Sequence, residues 1–153
     1  MSLPAIRAAL ADILFATPPV DVVTPNGTVA IGINQALPFT PELPPEIVPC
    51  AWLGDAIFAI DMGSLEVWTH ALPITVAVHE AGSAEMERGT VEAFLEAVMA
   101  QIRANQSLNG TAAVCVVIGG TEGEIRVRGK PYRGFTLDTQ IVEKFEVASQ
   151  IAS

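Results

Sequence analysis

Several things are scarce in this 153-residue chain at once. Charged residues make up 16% and aromatics 6%, and there are two cysteines, two histidines and eight Lys or Arg against seventeen Asp or Glu, a formal net charge of −9. So few cations argue against a protein that grips nucleic acid by its phosphates, because that binding is driven by Lys and Arg displacing counterions. Cys50 and Cys115 lie far apart inside the apolar runs VPCAWL and AAVCVVI, where they read as small buried residues rather than as a disulfide. No apolar run reaches the ~18 residues that span a bilayer. The opening LPAIRAALADILFAT carries Arg7 and Asp12 on a helical pattern and lacks the form of a secretion signal, so a cytosolic protein without membrane contact is expected.

Motifs for chemistry are missing too. His79-Glu80 begins a zinc-protease pattern, but Ser83 stands where the second histidine belongs, and a metal site would rest on carboxylates alone. There is no Gly-x-Ser-x-Gly elbow, since Met62-Gly63-Ser64-Leu65 lacks the second glycine. Gly119-Gly120-Thr121-Glu122-Gly123 has no following Lys-Ser/Thr and leads into a strand, so it reads as a turn and not as a phosphate loop. Glu42 and Glu46 fall in a solvated segment. His79 reads as a turn or surface histidine at a strand end, and His70 as a hydrogen-bonded core residue. No catalytic, cofactor-binding or metal residues are assigned, no cofactor is expected, and the chain reads as a non-enzyme.

What is present is apolar patterning, with half of all residues hydrophobic. The centrepiece runs from Glu66 to Ala104, where the period of the pattern switches from two to about 3.6 at Gly82-Ser83, the mark of a strand followed by a helix. Trp68, His70, Leu72, Ile74, Val76 and Val78 share one face of the strand, and small or polar residues take the other. In the helix, Val91, Leu95, Val98 and Ile102 form a stripe widened by Phe94 and Met99; Ser83 is placed to cap its start, and the pattern ends at Asn105. Residues 3–16 give a first helix with Ile6, Leu10, Ile13 and Leu14 on one side, and 20–33 suit a hairpin turning at Pro25-Asn26-Gly27. The run 50–60 is a strand expected to pair with the long one. A strand broken at Gly119-Gly120 and a last strand turning in at Gly129-Lys130 complete the chain, with a bulge expected near Arg133-Gly134. The sum is one domain, residues 1–153, of α+β class: a mostly antiparallel or mixed sheet of four to six strands with two helices packed on one face.

Two segments point outward. Residues 34–49, NQALPFTPELPPEIVP, are too rich in proline for helix or central strand and read as a stiff excursion. It either packs on its own domain, or docks on a neighbouring subunit through Phe39, Leu43 and Ile47, or has no order. Arg126, Arg128, Lys130 and Arg133 place four of the eight basic residues around the last hairpin, either as a solvated tip or as a contact for an acidic protein surface, including that of a neighbouring copy. A chain this apolar is expected to self-associate.

The order of elements, with FTPELPPEIVPCAWLGD, LPITVAVHEAGSAEMERGTVEAFLEAVMAQIRAN and GEIRVRGKPYRGFTLDTQIVEKFEV, resembles the tail terminator, or tail completion, proteins of long-tailed bacteriophages and prophages. The resemblance covers nearly the whole chain through element order rather than a diagnostic motif, so it transfers no residue roles. It implies a structural protein whose copies close into a hexameric ring that caps the tail tube, meets the head connector and lets DNA pass through the lumen without specific binding. It would be found in the host cytoplasm during assembly and then in the virion tail. Another head-to-tail joining (neck) protein is the nearest alternative. A small-molecule-binding or enzymatic domain lined by Glu66, Trp68 and His70 is the more distant one.

Overall fold

The computed structural model describes residues 3–82, 88–108, 110 and 113–146, apart from the side chains of Thr24, Arg88 and Glu146. Helix α1 (Leu3–Phe15) is followed by a hairpin of β1 (Val20–Thr24) and β2 (Gly27–Ile31), then β3 (Gln35–Leu37), β4 (Cys50–Leu53), β5 (Ile57–Met62) and the long β6 (Leu65–Glu80). Helix α2 (Arg88–Ala104) leads to β7 (Ala113–Val127) and β8 (Lys130–Glu146). The fold is α+β, with a six-stranded mixed sheet in the order β3-β4-β6-β8-β7 and β5 also paired to β6. All its pairings are antiparallel except β3 with β4.

Both helices lie on one face of this sheet. Ile6, Leu10, Ile13 and Leu14 of α1 and Val91, Phe94, Val98 and Ile102 of α2 close over Leu72, Ile74 and Val76 of β6 and Phe135, Leu137 and Ile141 of β8. The alternation in β6 therefore sorts its side chains as its sequence requires, large apolar residues to the core and Thr69, Ala71, Pro73 and Thr75 to the other face. Gln101 Nε2 donates to the Ile13 carbonyl at 3.0 Å and ties the helices together. The Thr139 hydroxyl, buried in the sheet, donates to the Leu72 carbonyl. The hairpin of β1 and β2 turns at Pro25-Asn26 as expected.

The 50–60 strand is interrupted. Its halves β4 and β5 pair with the same edge of β6, separated by residues 54–56 opposite Pro73. Gly54 N–H donates to the Pro73 carbonyl at 2.8 Å. A carbonyl and its own N–H point to the same side of a strand, so Pro73 has no donor to offer this edge and the ladder breaks there.

Four expectations need correction. The Gly119-Gly120 segment is neither a break nor a turn: β7 runs through it, with the extra residue Ile118 accommodated as a bulge between Val117 and Gly119. The last hairpin turns at Arg128-Gly129, both with positive φ, one residue earlier than read. The bulge expected in β8 lies across from it, at Val78 of β6, beside Gly134. Residues 34–49 are not wholly irregular, because Gln35–Leu37 adds a short parallel strand at the sheet edge. The cap at Ser83 falls outside the described residues.

Gly134 is fixed by contact: a Cβ there would lie 1.9 Å from the Val76 carbonyl oxygen, whereas one on Gly119 would meet nothing within 4 Å. Gly134→Ala is expected to cost about 3 kcal/mol in urea unfolding and Gly119→Ala less than about 0.5 kcal/mol. Equal midpoints for the two would contradict this register.

Candidate functional site

Among the described residues, neither helix covers the end of the sheet where β5 lies. All six residues of β5 are exposed, Ile57 at 75% and Met62 at 60%, and among the described residues the strand pairs only with β6. Its outer edge is a row of free peptide groups flanked by apolar side chains. Phe58 pairs across from His70 and Ile60 across from Trp68, so these side chains share a face. The Phe58 and Trp68 rings stack at 5.5 Å, and the His70 ring lies 6.5 and 6.0 Å from them. Beneath the rings, His70 Nε2 meets Glu143 Oε2 at 2.9 Å with both side chains only 3% exposed. Trp68 Nε1 donates to Glu66 Oε1 at 2.7 Å. His70 is thus the hydrogen-bonded buried residue it was read to be, and with Glu143 it braces this end of the sheet. His79 is buried instead of superficial, its Nδ1 2.9 Å from the Glu80 carbonyl.

The opposite end carries the proline segment, which folds back over the face that the helices leave open. Asn34 closes its base, its N–H donating to the Pro49 carbonyl and its side chain to the Val48 carbonyl, both at 2.9 Å. The buried Tyr132 donates its hydroxyl to the Pro45 carbonyl at 2.7 Å, and Cys50, Trp52, Ala77, Val127 and Tyr132 form a second, smaller core there. Arg7 reaches from α1 to the Pro38 carbonyl at 2.9 Å and lies over the Phe39 ring, 4.7 Å from its centre. Desolvation lowers the Arg7 pKa, with Asp55 acting against the shift. Phe39, Leu43 and Ile47 still point outward, Leu43 at 77%. The segment therefore packs on its own domain while presenting the three side chains singled out from the sequence.

Beside it lies a groove of ≈ 350 Å³ with Pro41, Trp52 and Val127 in its walls and Arg126 and Arg128 at the β7–β8 hairpin. Arg126 pairs with Glu124 at 3.3 Å and Lys130 with Glu80 at 2.7 Å. The hydrogen bond to Glu80 raises the Lys130 pKa. The fold thus brings the proline segment, Arg126 and Arg128 to one groove; Arg133 is exposed but does not line it.

Reading the sequence alone missed Arg7, Tyr132, Glu143 and the bare strand β5. Arg7 could have been noticed as a cation on the Ile6–Leu10–Leu14 stripe. The exposure of β5 has no local signal, because a continuous apolar run reads as buried. Among the described residues no three His, Cys, Asp or Glu stand close enough to hold a metal ion, and no helix is long and apolar enough to cross a membrane. No protein-family model and no curated protein matches the chain.

Tyr132→Phe removes the hydroxyl that anchors the proline segment. It is expected to cost about 1 kcal/mol and to raise the rate of limited proteolysis within residues 38–49; an unchanged cleavage rate would deny the anchor its role. Burial pushes both thiols up to about 11. Alkylation of Cys50 and Cys115 in the folded protein at pH 8 should then run at least roughly a hundredfold slower than at an exposed cysteine, rising tenfold per pH unit. Fast labelling at pH 8 would refute it.

Proposed function

We propose that this chain is a structural protein whose copies close into a ring of the phage tail-terminator kind, capping the tail tube and joining it to the head connector. On this reading it is not an enzyme and needs no cofactor. It assembles in the host cytoplasm and ends in the virion tail. The observation that carries the reading is the apolar strand β5, all six of whose residues are exposed and which pairs, among the described residues, with β6 alone. An uncovered strand edge of this composition invites association, and a soluble protein that keeps one has a use for it.

The element order that resembles the tail-terminator family supports the ring over a simple dimer. So does the presence of association surfaces at both ends of the sheet, since a head-to-tail contact between unlike surfaces closes when its rotation divides the circle. The balance of −9 suits a channel through which DNA passes without releasing counterions to the wall. A neck protein of the same connector would use the same surfaces. The small-molecule reading has less support, because His70 is engaged by Glu143 and flanked by the Phe58 and Trp68 rings.

Native mass spectrometry, light scattering and negative-stain electron microscopy of the purified chain are expected to give one closed oligomer with a central opening. A monomer at every concentration up to the millimolar range would overturn the reading.

A further inference from the structure

The two ends of the sheet are complementary in charge. Residues 57–66, which form β5 and its turn into β6, carry Asp61 and Glu66 and no Lys or Arg, whereas residues 126–133 carry Arg126, Arg128, Lys130 and Arg133 and no Asp or Glu. The register sets these segments at opposite ends of β6, with Leu65 facing Glu146 and Glu80 facing Tyr132 of β8. At ~3.3 Å per residue that is a separation of about 50 Å, too far for the two to meet within one chain.

Met62 and Leu65 are exposed at the β5–β6 hairpin tip, and the groove offers Pro41, Trp52 and Val127 beside Arg126 and Arg128, with threonines and Glu124 in the rest of its lining. Glu124 and Lys130 share that end, paired to Arg126 and Glu80, while Arg128 has no ion pair among the described residues. Lys144 is the cation nearest the hairpin on its own sheet, across from Val67. At the far edge of the sheet Cys115 N–H is already bonded to the Gln106 carbonyl at 2.8 Å, so β7 is not open along its whole length.

We infer that the β5–β6 hairpin tip of one copy docks in the groove between the proline segment and the β7–β8 hairpin of the next copy, with Asp61 against Arg128 and Met62 in the groove. The occupant is a second copy of this chain. Each copy gives one end and receives at the other, so the contact is heterologous, as a ring requires. This rests on the ring reading and specifies its interface.

Two experiments test it on the full chain. A mixture of Asp61→Cys and Arg128→Cys proteins, treated at pH 7 with a short bis-maleimide, should give cross-linked dimers, while either variant alone gives none; the native thiols are buried and silent. Asp61→Arg and Arg128→Glu should each weaken assembly about tenfold or more, and the doubly exchanged chain should return to within about threefold of the starting protein. Cross-linking of Asp61→Cys with itself would mean a two-fold contact through β5 and would overturn the inference. So would single variants that assemble normally, or a double variant as weak as the singles. With such variants the unmodified chain still assembles and the ring reading survives, whereas a two-fold contact, which pairs copies without closing a ring, or an unmodified chain that stays monomeric ends both.

Discussion

A mismatch of length governs this molecule. Strand β6 has sixteen residues and helix α2 seventeen. A strand advances ~3.3 Å per residue and a helix ~1.5 Å, so the strand is about 50 Å long and the helix about 25 Å. A helix of equal residue count covers half of such a strand. Where α1 and α2 lie, the large side chains Leu72, Ile74 and Val76 are sealed. Beyond them the same alternation continues into Trp68 and Glu66 with neither described helix above, and β5 is added where no described residue covers it. The stacked rings and the His70–Glu143 pair are what the bare half has in place of a helix: aromatic area and one buried polar contact.

Much of this architecture is legible in the sequence because it rests on period. The parity of β6, the stripes of α1 and α2 and the Pro25-Asn26 turn are local patterns with one physical solution each. The places that resist reading depend on what lies across the sheet. Gly119 and Gly120 look like punctuation, yet β8 holds β7 extended through them, and a Cβ on Gly120 would come 2.7 Å from the Thr136 carbonyl oxygen. Pro73 looks tolerable in the run LPITV, but its cost falls on the neighbouring edge as the gap between β4 and β5. The proline segment looks like a free arm because prolines lack donors. It is held through its carbonyls, by Tyr132, Asn34 and Arg7, and no proline count reveals the donors that will reach them. For the candidate surfaces the division is similar. Phe39, Leu43, Ile47, Arg126 and Arg128 were readable as outward residues, whereas the groove joining some of their neighbours needed the chain folded.

Charge is arranged on the same axis. In a chain with seventeen acidic residues, a stretch of four cations in eight positions is a departure that a solvated tip does not require. Two of those cations are partly neutralised by local carboxylates, and exposed pairs of that kind add little to stability. Their field acts instead on what approaches: acidic surfaces are favoured at this end, in a chain whose net charge is −9.

An exposed apolar strand is a hazard as well as an opportunity. From Ile57 to Met62 the only charge is Asp61, and an edge so lightly guarded pairs with other strands without selectivity unless something larger than the strand decides the partner. On the docking proposed above, a groove that accepts the hairpin tip by charge and shape would supply that decision. Sheets also twist by roughly 20° from strand to strand, so the donating hairpin and the accepting groove of one copy face different directions and successive copies turn. Copies joined this way curve, and a curve that closes consumes every free tip.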